Sequence, residues 1–283
     1  MALSEMALLM PVGGPGTADS LSRWLEAKPS MATLHNGRAY LPDGAILRTG
    51  TDDQAERTRE YLAAAHRLAD TDLRPIHRFL HSLLVTGSTA YGTPVPEDDC
   101  DLFAITRRGT LWLVLAYVFL RLRVRSWQGT RSGPPTWCLN LVLDETAAEG
   151  EFASPRGFLF AREALTAVPL RGAEEYGTLV VRSPWMEQEA PQLFEQWKFP
   201  YRPVSAPRSI PLAVRITNAA LYPFLAAYLQ AESLYRNWRL RRTGRSAEAF
   251  VTTTLLHRLS VQSSKFDELG RVYRGTSAIG YDP

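Results

Sequence analysis

The strongest constraint on this 283-residue chain is a pair of short apolar segments separated by a glycine turn and a run of acids. Leu83-Leu84-Val85-Thr86 reads as a buried strand that stops at Gly87-Ser88. After Thr89-Ala90-Tyr91-Gly92 and the acidic Glu97-Asp98, a second strand carries Asp99-Cys100-Asp101-Leu102-Phe103. Strand side chains alternate, so Asp99 and Asp101 are expected on one face, with Cys100 and Leu102 on the other. Two carboxylates fixed side by side repel each other until a cation neutralises them. Hard oxygen ligands select Mg²⁺, which keeps part of its water and commonly binds substrate phosphates as well. Gly87 lets backbone amides approach an anion, and the Ser88 hydroxyl adds a donor. The combination predicts a site for a triphosphate and a metal.

The flanking pattern predicts the supporting elements. Residues 51–66 open with Asp52 and Asp53 in the first turn of a helix, where the macrodipole favours acids. A further helix is expected from Pro75 through Ile76, Phe79 and Leu80. Leu111–Leu122 is apolar on every side, as a buried helix would be, and falls short of the ~20 residues of a bilayer span. Trp137–Leu143 reads as another strand, carrying Asn140 and followed by Asp144. Beyond it, helices are expected over 158–168, 212–240 and 246–260, with a proline-punctuated connection over 191–211. At the other end, Leu21, Trp24 and Leu25 keep helical spacing after candidate caps Asp19 and Ser20. Two short strands then surround Asn36-Gly37, which suits either a winged helix or a stabilising cap.

The Thr86-Gly87-Ser88 turn followed by Asp99-Cys100-Asp101-Leu102 resembles the signature of the nucleotidyltransferase superfamily. The likeness extends to a group of bacterial and archaeal nucleotidyltransferases with an N-terminal winged-helix-like segment and a helical C-terminus. It is carried by Gly87–Ala90, Asp101–Phe103, Leu111-Trp112, Cys138-Leu139-Asn140, and a phrase through Phe160, Ala161, Glu163, Pro169, Leu170 and Gly172. The resemblance implies an α+β fold in which a mixed sheet is flanked by helices. The implied organisation is an N-terminal module over 1–50, a nucleotidyltransferase core over 51–150 and a helical C-terminal domain over 151–283. It also implies Mg²⁺-dependent transfer of a nucleoside monophosphate from an NTP such as ATP to an acceptor, with Asp99 and Asp101 as metal ligands and Gly87 and Ser88 on the phosphates. Most active members carry a third acid where this chain has Asn140, which can coordinate through its carbonyl but cannot take a proton. Asp144 is the nearest acid on that strand's face, and Glu163 is a candidate base, although a helix-surface acid has the same sequence appearance.

The balance of 32 basic and 29 acidic residues leaves a net charge of +3, which favours a small-molecule acceptor over a nucleic acid. Two cysteines exclude a disulfide scaffold and suit a reducing, cytoplasmic setting. Cys100 and Cys138 are expected on opposite sheet faces and unbridged. Arg121, Arg123, Arg125 and Arg131 suit a phosphate rim or a solvated face. Arg236, Arg239, Arg241, Arg242 and Arg245, interleaved with Trp238, fit the end of a long helix or an acceptor contact. Tyr222, Phe224, Tyr228 and Tyr235 are expected to pack in the core. His77 and His81 have helical spacing without zinc-site partners. Two other function classes remain open from the residues alone: a nucleotide-sensing or DNA-binding regulator without turnover, and a toxin that modifies protein or RNA.

Overall fold

A computed structural model describes residues 6, 7, 9, 10, 17–27, 33–35, 38–40, 51–96, 98–127, 136–197, 209–244 and 249–263. Glu97, Asn36-Gly37, Arg131 and Arg245 lie outside them. The first helix, α1 (Ala18–Glu26), is capped by Thr17, whose hydroxyl accepts from Ser20 N while Ser20 caps back. The cap is therefore two residues before the expected acid, Asp19. The strands β1 (Thr33–His35) and β2 (Arg38–Tyr40) pair antiparallel, with His35 opposite Arg38. Leu21 and Leu25 of α1 form their own small apolar cluster, with Leu34 packed against it.

The helix α2 (Thr51–Arg67) leads into a π turn, then a 3-10 turn over Arg74–Phe79, and then β3 (Leu80–Thr86). The helix expected from Pro75 is therefore a six-residue 3-10 helix with the proline in its first positions, and Leu80 already belongs to the strand. His77 and His81 consequently share no helix face. The His77 ring meets the Ala69 carbonyl, and buried His81 meets the Ser82 hydroxyl.

The short helix α3 (Gly87–Ala90) and β4 (Cys100–Thr106) follow, then α4 (Leu111–Trp127) and β5 (Trp137–Asp144). Next come α5 (Glu145–Ala153), α6 (Phe158–Thr166), β6 (Val168–Arg171), α7 (Ala173–Val181), α8 (Trp185–Glu189) and α9 (Pro191–Gln196). The last described elements are α10 (Leu212–Arg242), β7 (Phe250–Leu255) and β8 (Arg258–Ser263).

The main sheet has six strands in the order β6-β3-β4-β5-β8-β7. Only β4 and β5 run parallel, joined by the crossover helix α4. Alternation along β4 divides the core into two layers. Cys100, Leu102 and Ala104 pack with Leu83, Val85, Trp112 and Leu115, on the side of α4 and α10. Phe103 and Ile105 pack with Leu84, Phe152, Tyr176 and Met186, on the side of α5–α8.

The structure thus has the expected mixed α+β character, but its last strands overturn the helix expected over 246–260. The run Phe250-Val251-Thr252-Thr253-Thr254-Leu255 is dominated by β-branched residues, which favour a pleated chain. It forms a hairpin with β8, and β8 pairs with β5. The sheet therefore takes strands from both sides of residue 150.

Edge strand β7 does not present a free ladder. Asn237 of α10 bonds both the N–H and the carbonyl of Phe250, each at 2.8 Å, and Gln230 donates to the Thr252 carbonyl at 3.0 Å. A second tertiary contact caps α4. Buried Asn218 accepts from Trp112 N at 2.7 Å and Leu113 N at 3.2 Å, two first-turn amides with no partner inside their own helix.

The aromatic expectations for α10 divide. Tyr222 packs on Trp112, with ring centroids 5.0 Å apart, whereas Phe224, Tyr228 and Tyr235 are exposed rather than in the core. The reason is helical periodicity: these three lie opposite the face that docks on α4 and β7. α10 is also the described helix long and apolar enough to cross a bilayer by length and composition.

Candidate functional site

The close of β3 and the start of β4 meet at the register pair Thr86–Asp101. Gly87 follows with φ of +67°, in the left-handed region where glycine is unstrained. Its missing side chain is used sterically as well: a Cβ there would come within 2.2 Å of Asp101 Oδ2. The Asp101 carboxylate therefore rests directly against the Gly87 backbone.

Across the parallel pair, the register passes from Leu102–Leu139 to Phe103–Leu141, leaving Asn140 as an extra, bulged residue. Leu139 belongs to the α4 side of the core and Leu141 to the other, so the bulge admits a polar group without misplacing the apolar residues that follow. Asn140 Nδ2 donates to Asp101 Oδ1 at 2.5 Å, and Cys138 Sγ donates to Asn140 Oδ1 at 2.9 Å. Cys100 and Cys138 are both free thiols. Burial and the neighbouring Asp101 and Asp99 charges push the Cys138 thiol up to about 11.

The helix α6 completes the group. Glu163 Oε2 accepts from Gly87 N at 3.3 Å, and Glu163 Oε1 accepts from the Tyr91 hydroxyl at 2.5 Å. Arg162 Nε donates to the Tyr91 oxygen at 3.2 Å, its guanidinium lies 5.0 Å over the Tyr91 ring, and Nη2 stands 3.6 Å from Glu163 Oε1. The Asp101 carboxyl is pushed up to about 7, chiefly by burial and further by the Glu163, Asp99 and Asp98 charges, against the stabilising Asn140 bond. Burial and the Glu163 charge also push the Tyr91 phenol well above its ordinary range.

Of the residues singled out in the sequence, Gly87, Asp101, Asn140 and Glu163 are thus brought together. Asp99 is placed differently from the expectation. β4 opens at Cys100, so Asp99 is the exposed residue immediately before the strand, close enough for its charge to act on Asp101. Ser88 is partly exposed in the turn.

Asp144 is far from this group, at the other end of β5 opposite Thr106. Fully buried, it caps α5 through Ala147 N at 3.0 Å, and its Oδ2 lies 2.5 Å from Nδ1 of His257. Its work is structural. Arg121 is tied to Asp72 at 2.6 Å, away from a phosphate rim.

Tyr91 and Arg162 are members of the site that sequence reading passed over. Tyr91 had a detectable signal, since it stands four residues after Gly87 and thus one turn along; Arg162 had none beyond adjacency to Glu163.

The donor chemistry bears on a metal. Asp101, Asp99 and Glu163 supply hard carboxylate oxygens whose mutual repulsion a divalent cation would relieve. Among the described residues no group of three or more His, Cys, Asp or Glu forms a ready-made cage. Asp99 and Asp101 by themselves would be a partial set, of the hard-oxygen type that suits Mg²⁺ when water or a phosphate completes its shell.

Comparison with protein-family models, curated proteins and solved structures finds no match to this chain.

Proposed function

We propose that the chain is a nucleotidyltransferase that moves a nucleoside monophosphate from an NTP to a hydroxyl-bearing small molecule, releasing pyrophosphate. The observation that carries this reading is the Asp101 carboxylate lodged against Gly87, with Glu163 on the Gly87 N–H. An acid held at a raised pKa beside a glycine whose amide already holds a carboxylate oxygen suits a site built to take a cation and a phosphate together.

Asp101 and Asp99 are the residues that would hold Mg²⁺, and a bound ion would polarise the α-phosphate and offset charge on the departing pyrophosphate. Gly87 and Ser88 hold the β- and γ-phosphates, so that the α-phosphorus lies in line for attack. A phosphate oxygen that takes the Gly87 N–H releases Glu163 Oε2. The freed carboxylate accepts the proton of the acceptor hydroxyl as that oxygen bonds to the α-phosphorus and the bond to the leaving pyrophosphate breaks. The net charge of +3 supports a small acceptor.

The test is pyrophosphate release from labelled NTP with Mg²⁺, comparing wild type with Asp101→Asn and Glu163→Gln. Release is expected from wild type and lost by ~100-fold or more in each variant. Equal release by all three overturns the reading. One observation favours a second reading, nucleotide binding without turnover: Asn140 bonds Asp101 where an acid would complete the metal set. NTP binding by calorimetry without pyrophosphate from any acceptor would select it.

A further inference from the structure

The helix α10 docks on α4 and β7 by one face, and among the described residues its opposite face is exposed. Only 11% of its most apolar eighteen-residue window is buried. The exposed residues Ala213, Thr217, Ala220, Phe224, Ala227, Ala231, Leu234 and Trp238 repeat at spacings alternating between four and three. This is the seam by which one helix packs along another at about +20°. From Ile216 to Ala231 no residue is charged. Phe224 is 75% exposed, Leu234 70% and Trp238 48%. With Ile216, Tyr228 and Tyr235, these side chains leave on the order of 800 Å² of apolar surface per protomer, the amount each partner contributes to a standard stable interface.

We propose that this face is the dimer interface of the protein, formed by antiparallel pairing of α10 with α10 of a second copy about a two-fold axis. The side-chain sizes select the partner and the register. Centred between Leu225 and Ala226, an antiparallel pair sets Phe224 opposite Ala227, Ala220 opposite Ala231, Leu234 opposite Thr217 and Trp238 opposite Ala213. Every large residue meets a small one, and the contact is self-complementary as a two-fold axis requires.

Charge selects the direction. Arg236, Arg239, Arg241 and Arg242 crowd one end of α10. Antiparallel pairing separates the two clusters to opposite ends, whereas parallel pairing would stack them together.

A lipid surface fits less well. An interfacial helix keeps its polar face in water, but here the face opposite the apolar one is packed on protein through Asn218, Gln230 and Asn237.

The test is sedimentation of the full chain, with wild type expected as a dimer and Phe224→Glu and Ala227→Glu as folded monomers by circular dichroism. Both positions are exposed, so the monomer fold does not need them. Oxidative cross-linking adds the direction. Ala220→Cys mixed with Ala231→Cys is expected to give a covalent dimer, and neither variant alone exceeds the wild-type background. A monomeric wild type, a dimer unchanged by either Glu substitution, or self-linking of Ala220→Cys each overturns the proposal. So does a monomeric wild type that co-sediments with anionic vesicles, which would assign the face to lipid.

Discussion

The Asn140 side chain donates to Asp101 Oδ1 at 2.5 Å across two parallel strands, from a bulge that leaves Asn140 outside the ladder register. The bond partly offsets the cost of keeping a carboxylate in an apolar, acid-rich setting. Its removal or reversal of sign is therefore informative.

Asn140→Asp replaces a donor to Asp101 with a second carboxylate. Without divalent cation the variant is expected to lose about 1–3 kcal/mol of stability at neutral pH, through like-charge repulsion and the lost bond. Millimolar Mg²⁺ should restore more stability to it than to wild type. Thermal melting with and without Mg²⁺ measures both; an Mg²⁺ effect equal in the two proteins would count against a metal at Asp101.

The raised pKa of Asp101 sets a pH dependence. Its carboxyl titrates at about 7 in the folded chain and near the ordinary ~3.9 when unfolded. The folded form holds the proton more tightly, so this group's contribution to stability falls as pH rises from about 4 to about 7, then levels off. Asp101→Asn is expected to be more stable than wild type at pH 8, with the gap closing towards pH 4. Denaturant midpoints across that range check the sign, and a pH-independent gap would contradict it.

Gly87→Ala places a methyl 2.2 Å from Asp101 Oδ2, in a left-handed backbone conformation. The expected loss is about 1–3 kcal/mol in stability, by urea unfolding. Calorimetric binding of a non-hydrolysable NTP with Mg²⁺ should weaken at least tenfold.

Asn218→Leu removes the cap that α10 supplies to α4. Two buried amides, those of Trp112 and Leu113, lose their acceptor, and a cost of about 2–3 kcal/mol is expected from unfolding curves. Hydrogen exchange at those amides should accelerate even where the fold survives.

Most of the core was legible in the chain. Leu111–Leu122 announced a largely buried helix by its apolarity, with Leu120 left exposed, and Leu83–Thr86 a buried strand by its apolar run. Two of the errors arose where tertiary pairing decides what local pattern does not. Residues 246–260 read as helix because β7 has no amphipathic alternation of its own; it becomes a strand when β8 pairs with β5 and Gln230 and Asn237 occupy its outer edge. Phe224 and Tyr235 read as core because apolarity does not say which side of a long helix finds a partner.

At the candidate site, the sequence alone determined that Gly87, Ser88, Asp99 and Asp101 would lie near a strand end, since chain connectivity and strand alternation act over a few residues. The tertiary structure decided that Asp101, rather than Asp99, is the part-buried acid. It also moved Asp144 out of contention and brought Glu163 and Arg162 to Gly87 and Tyr91 from a helix more than seventy residues away. Such long-range approach depends on how whole layers pack, and the desolvation that raises the Asp101 pKa exists only once those layers have closed over it.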